Sequence, residues 1–124
     1  MGKQMIAVFD TNIVIDALNG ITHVDTEYGL YERVLISQIT WMEVIVGADE
    51  DDLKTRNFLE TYFEIISIDT TVAEYAVQLR RTHRLRLPDA IIFATAKAYS
   101  ATLVTRNTKD FKVEWDANCI LYQL

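Results

Sequence analysis

The run Met5-Ile6-Ala7-Val8-Phe9 is apolar at every position and stops at Asp10. A strand that alternates apolar and polar residues lies on a surface. One that is apolar throughout needs cover on both faces, the condition of a central strand in an α/β sheet. Ile13, Val14, Ala17 and Leu18 follow at helical spacing, and Gly20 stands where such a helix would end. The expected structure is a buried parallel strand over 4–9, a sharp turn at Asp10 and a helix over 11–18. Asp10 then lies at the carboxyl end of a central strand, where open α/β sheets place their ligands. The competing explanation is that Asp10 merely caps the helix, a task aspartate performs well.

The remaining chain repeats the alternation. Residues 19–30 read as a loop with room for a short helix, and 33–37 as strand two. A helix over 38–48 buries Ile39, Met42, Val44, Ile45 and Val46. An amphipathic helix over 51–63 turns Leu53, Phe58, Leu59, Tyr62 and Phe63 inward, and strand three covers 64–68. Thr70 or Thr71 caps a helix reaching about Arg84, with Val72, Ala73, Ala76, Val77 and Leu79 apolar. Leu87-Pro88-Asp89 opens another helix to Tyr99, with proline at the first helical position. Strand four is 102–105, a turn follows at 107–111, and strand five is 119–122. Strands alternating with helices imply a parallel sheet with right-handed crossovers.

With 124 residues, half of them hydrophobic, the chain reads as one domain over 1–124 with a substantial core. No apolar run approaches the roughly 18 residues of a spanning helix, and no signal-peptide pattern precedes strand one, so a cytoplasmic protein with no membrane partner is expected. Cys119 is the sole cysteine, which excludes a disulfide framework and a cysteine-rich zinc site. The net charge of -6 argues against unspecific nucleic-acid binding over the whole surface. That charge is unevenly spread: Asp49-Glu50-Asp51-Asp52 is acidic, whereas Arg80-Arg81-Thr82-His83-Arg84-Leu85-Arg86 is basic.

Four acids stand out. Asp10 ends strand one. Glu43 sits within Thr40-Trp41-Met42-Glu43-Val44-Ile45-Val46, a costly setting unless it faces a polar cleft or a cation. Asp89 occupies a first helical turn, where the helix dipole favours an anion. Asp110 lies in the turn after strand four, with Asn107 just before it. Each has a plain structural explanation, as a cap, an ion-pair partner or a loop residue. Together they follow different strands yet can converge at one sheet edge, where their repulsion would be relieved by a divalent cation. Oxygen donors alone suit Mg2+ or Mn2+ rather than zinc.

Val8-Phe9-Asp10-Thr11-Asn12, Ile39-Thr40-Trp41-Met42-Glu43, Arg84-Leu85-Arg86-Leu87-Pro88-Asp89-Ala90-Ile91-Ile92 and Val104-Thr105-Arg106-Asn107-Thr108-Lys109-Asp110-Phe111 resemble the four motifs of the PIN domain. The nearest resemblance is to its small bacterial and archaeal branch, the VapC-type toxins of toxin–antitoxin modules. It implies a three-layer α/β fold with a five-stranded parallel sheet in the order 3-2-1-4-5. Strands one and four are then neighbours and the active cleft lies at the switch between them. By the same resemblance Asp10, Glu43 and Asp89 are the core catalytic and metal-binding acids. The fourth acid stands in some relatives where this chain has Asn107 and in others where it has Asp110; Asp110 is taken here, with Asn107 as a neutral helper. Thr11, Asn12 and Thr105 are supporting residues that orient a carboxylate or a bound water.

The chain lacks a nucleophile constellation: Cys119 is misplaced, and neither His23 nor His83 lies in a carboxylate motif. Metal-assisted hydrolysis remains, and the resemblance implies endonucleolytic RNA cleavage leaving a 3′ hydroxyl and a 5′ phosphate. Arg84 and Arg86 before Asp89, and Arg106 and Lys109 beside Asp110, are candidates for RNA phosphate contacts, against the plain reading of a solvated face. The resemblance also implies a homodimer and a cognate antitoxin protein. Rival readings are an RNA-processing nuclease outside a toxin–antitoxin pair and a non-catalytic PIN-fold binding module. A response-regulator receiver would need a second acid where Thr11-Asn12 stands, and a haloacid-dehalogenase-type phosphatase an acid at Asn12. No phosphate-binding glycine-rich loop is present for an NTPase.

Overall fold

The computed structural model describes residues 5–107 and the strand Cys119–Leu121. The elements run β1 (Ile6–Phe9), α1 (Thr11–Leu18), α2 (Thr22–Tyr28), β2 (Arg33–Ser37), α3 (Gln38–Val46), a short turn of 3-10 helix (Asp49–Asp51), α4 (Asp52–Tyr62), β3 (Glu64–Ile66), α5 (Thr70–His83), α6 (Leu87–Ala98), β4 (Thr102–Thr105) and β5 (Cys119–Leu121). Every strand pairing is parallel, and the sheet order is β3-β2-β1-β4-β5. β1 is therefore central, with Ala7 opposite both Val34 and Thr102, and Phe9 opposite Val104.

The central position explains why β1 is apolar throughout. Val8 and Leu35 point into a cluster formed with Val72, Ala76 and Leu79 of α5 and Ala90 and Phe93 of α6. Their neighbours Ala7, Phe9, Val34 and Ile36 point the other way, into a cluster with Ile13 and Val14 of α1, Val24 of α2 and Leu59 of α4. Successive strand residues face opposite sides, so both sets must be apolar and helices cover both faces. Phe9 anchors the end of β1. Its ring meets Tyr28, Tyr31 and Phe63 at centroid distances of 6.4, 6.5 and 6.0 Å in edge-on or tilted contact. Among the described residues, no helix is long and apolar enough to cross a membrane.

Several expectations from the sequence are corrected. Met42 and Val46 of α3 are exposed, Val46 by 80%, and so are Leu53 of α4, by 73%, and Tyr62. The buried residues of α3 are Thr40 and Val44, and those of α4 are Thr55 and Leu59. Residues four apart share a helix face, while residues two apart lie about 200° round the axis. Met42 and Val46 thus project away from Thr40 and Val44, and Leu53 away from Thr55. α3 is so rich in apolar residues that its sequence does not mark which face is inner. The cap of α5 is Asp69, whose Oδ1 accepts from Val72 N at 2.9 Å, rather than Thr70 or Thr71. Strand three ends at Ile66, two residues earlier than expected, because Asp69 then opens the helix.

Leu35→Ala, which empties a fully buried position between sheet and helices, is expected to lower unfolding free energy by about 2–5 kcal/mol. Leu53→Ala and Val46→Ala are expected to stay within about 0.5 kcal/mol of wild type. Urea titrations of the three variants check the corrected helix faces directly.

Candidate functional site

Asp10 joins three elements at once. Its N–H donates to Val104 O at 3.0 Å, extending the β1–β4 ladder by one bond. Its carbonyl accepts from Ile13 N and Val14 N at 3.0 and 3.2 Å, which begins α1. Its side chain, in a residue only 4% exposed, is held from both sides. Oδ1 accepts from Thr11 N at 2.8 Å, so the helix-cap explanation of Asp10 holds in part. Oδ2 accepts from Thr105 Oγ1 at 2.6 Å and, more distantly, from Asn12 Nδ2 at 3.4 Å. Thr105 is oriented in turn by Asn107 N, which donates to its Oγ1 at 2.9 Å.

These partners are all neutral, and they do not offset the burial. Desolvation pushes the Asp10 carboxyl up from the ordinary 3.8 to about 6. Hydrogen bonds from Thr105 and Thr11 pull against that rise, whereas the nearby Asp89 and Glu43 carboxylates add to it. The structure thus brings Glu43 and Asp89 each into electrostatic reach of Asp10. Glu43 accepts from Thr11 Oγ1 at 2.7 Å, so Thr11 contacts Asp10 through its backbone and Glu43 through its side chain. Asp89 is buried in the first turn of α6, where Pro88 fits the missing N–H. Its Oδ2 pairs with Arg86 Nε at 3.2 Å.

The donor set suits a hard divalent cation. All the groups are oxygen donors, Asp10 is poorly neutralised, and the buried Asn12 Oδ1 has no hydrogen-bond partner among the described residues. These acids do not form a closed cluster: among the described residues no three His, Cys, Asp or Glu side chains form a ready-made metal cage. Asp110 and Lys109 lie outside the described residues.

The candidate RNA-contacting arginines divide. Arg84 and Arg86 are exposed, and Arg84 closes α5 in a left-handed conformation with φ 56°. Arg106 is already engaged: its Nη2 donates to Asp16 Oδ1 at 3.1 Å, and its Nε lies 2.9 Å from Asp16 Oδ2. The sequence reading missed Asp16. Its signal was a carboxylate placed among Ile13, Val14 and Ala17 on the inner side of α1, a position that demands a partner. It also missed Thr40, fully buried in α3, whose Oγ1 lies 3.0 Å from Thr11 Oγ1.

The PIN domain family profile matches residues 7–114. A chain in a toxin–antitoxin complex from Klebsiella pneumoniae is 43% identical, with a TM-score of 0.83, and the match covers 92% of this chain and 95% of that one. VapBC2 from Rickettsia felis, bound to a DNA fragment from their promoter, contains a chain 26% identical with a TM-score of 0.76, over 94% of this chain and 97% of that one. DNA-bound VapBC from Salmonella typhimurium shares the fold at 23% identity and a TM-score of 0.80, over 97% of this chain and all (100%) of that one. No curated protein matches the chain.

The raised pKa has a stability consequence of definite sign. Between about 4 and 6 the unfolded Asp10 carboxyl ionises while the folded one stays protonated, so folding stability falls as pH rises through that window. Above about 6 the full penalty remains. In metal-free buffer with EDTA, Asp10→Asn should therefore gain stability over wild type on going from pH 4.5 to pH 8, by about 2 kcal/mol. Urea unfolding of both proteins at the two pH values measures this. An unchanged difference would show that burial does not penalise the ionised form.

Proposed function

Because this chain belongs to the PIN domain family, we propose that it is a divalent-metal-dependent endoribonuclease and the toxin of a toxin–antitoxin module. Asp10, Glu43 and Asp89, with Asp110 as the fourth acid and Asn107 beside it, hold Mg2+ or Mn2+. The observation that carries this reading is the Asp10 carboxylate, buried at the carboxyl end of the central strand, repelled by two other acids and met by neutral donors. Such a group is stabilised by a cation. When bound, the ion lowers the pKa of a water and offsets the charge that builds on the phosphate.

The chain's own residues hold the arrangement. Thr105 and Thr11 keep Asp10 aimed from opposite sides, and Asn12 supports Oδ2. Arg86 holds Asp89 at the start of α6. Glu43 is exposed, is fixed by Thr11 and accepts the proton of the attacking water. Arg84 and Arg86, with Lys109, contact the RNA backbone on a chain whose net charge of -6 otherwise repels it. Arg106 contributes as a guanidinium already oriented by Asp16. The toxin reading is supported by the 43% identity to the Klebsiella pneumoniae toxin–antitoxin chain. A homodimer is supported by the large apolar side chains of Met42, Val46 and Leu53 left in solvent on α3 and α4.

Purified protein is expected to cleave RNA with Mg2+ or Mn2+ and to leave 3′ hydroxyl ends. EDTA or Asp10→Asn should each reduce the rate by at least about a hundredfold while the fold persists by circular dichroism. Undiminished cleavage in either case rejects the metal-nuclease reading.

Co-expression with the product of the adjacent gene is expected to yield a complex with suppressed cleavage. A nuclease active alone but indifferent to that product is an RNA-processing enzyme. A protein that binds RNA and never cleaves it is a binding module.

A further inference from the structure

Thr11 occupies an unusual place, because its N–H serves Asp10 and its hydroxyl serves Glu43. Its hydroxyl has a second neighbour, Thr40 Oγ1 at 3.0 Å. A hydroxyl carries one proton. At 2.7 Å from a carboxylate oxygen, Thr11 commits that proton to Glu43 Oε1, since lone pairs facing each other at that distance would repel. Thr40 is then the donor to Thr11. Thr40 and Glu43 lie three residues apart on α3 and share one face, so the single Thr11 hydroxyl meets both. Thr40 is fully buried, whereas Glu43 stands in solvent with many rotamers available.

We propose that Thr40 is a positioning residue: by donating to Thr11 it fixes the rotamer in which Thr11 ties Glu43 to Asp10, so that the two acids meet a cation already oriented. Thr40 touches neither acid in the contacts described and acts only through Thr11. Without it the Thr11 hydroxyl oxygen loses the donor that holds its rotamer from the buried side, and the bond to the exposed Glu43 is left to hold itself. This inference rests on the metal-nuclease reading above and adds a residue to it.

The test compares Thr40→Val, which keeps the shape and removes the donor, with Thr40→Ser, which keeps the hydroxyl. Mn2+ affinity is read from the electron paramagnetic resonance signal of free Mn2+, without any turnover. Thr40→Val should bind Mn2+ roughly tenfold more weakly than wild type and cleave more slowly in proportion, and Thr40→Ser should restore most of both. In a Thr11→Val background, Thr40→Val should have no further effect, because the group it orients is gone. This cycle also separates positioning from a general loss of packing, which would weaken both backgrounds alike. Wild-type affinity in Thr40→Val, equal losses in both backgrounds, or a Thr40→Ser variant as weak as the valine overturns the proposal. Wild-type protein that binds no Mn2+ overturns the metal reading itself, and the proposal with it.

Discussion

The desolvation of one carboxylate governs this molecule. Asp10 ends the central strand, extends its ladder to β4 and starts α1 with its carbonyl, so its backbone cannot move without unmaking the sheet. Its side chain is consequently held where ionisation is disfavoured. A structural residue under that constraint would be replaced by asparagine or serine at no loss of capping, since those residues cap a helix equally well. The negative charge is what the cation proposed for this site would use.

The described surroundings are built to keep that charge available without cancelling it. Thr105, Thr11 and Asn12 present neutral donors, which aim the carboxylate and soften the burial penalty. The arginines near the site have other partners: Arg86 faces Asp89, and Arg106 faces Asp16. Even the basic run before α6 is partly structural, since Arg80 donates from Nη1 to the carbonyl of Leu85 and so secures the end of α5. No lysine or arginine among the described residues pairs with Asp10 itself.

Much of this was legible in the sequence because it depends on local chemistry. An apolar run ending at an acid, proline in a first helical turn before Asp89, and threonine near Asn107 each state a local geometry. What stayed hidden depends on partners distant in sequence. Thr40 is one small polar residue in a helix of large apolar ones, and its partner lies 29 residues away. Asp16 is explained only by Arg106, 90 residues later. The inner face of α3 was misjudged for a related reason. Where nearly every residue is apolar, periodicity carries no phase, and only packing against the sheet decides which side chains are covered.

The hydrogen bond between Thr105 and Asp10 spans 95 residues. The two sides of the site are thus far apart in sequence, joined by the pairing of β1 with β4. That pairing closes a long loop and waits on the crossover through α5 and α6. During synthesis Asp10 emerges 95 residues ahead of the hydroxyl that holds its Oδ2, and the site stays unassembled until β4 has followed. Fragments released before β4 carry the carboxylate with Thr11 and Asn12 beside it but without the Thr105 hydroxyl that holds its other oxygen.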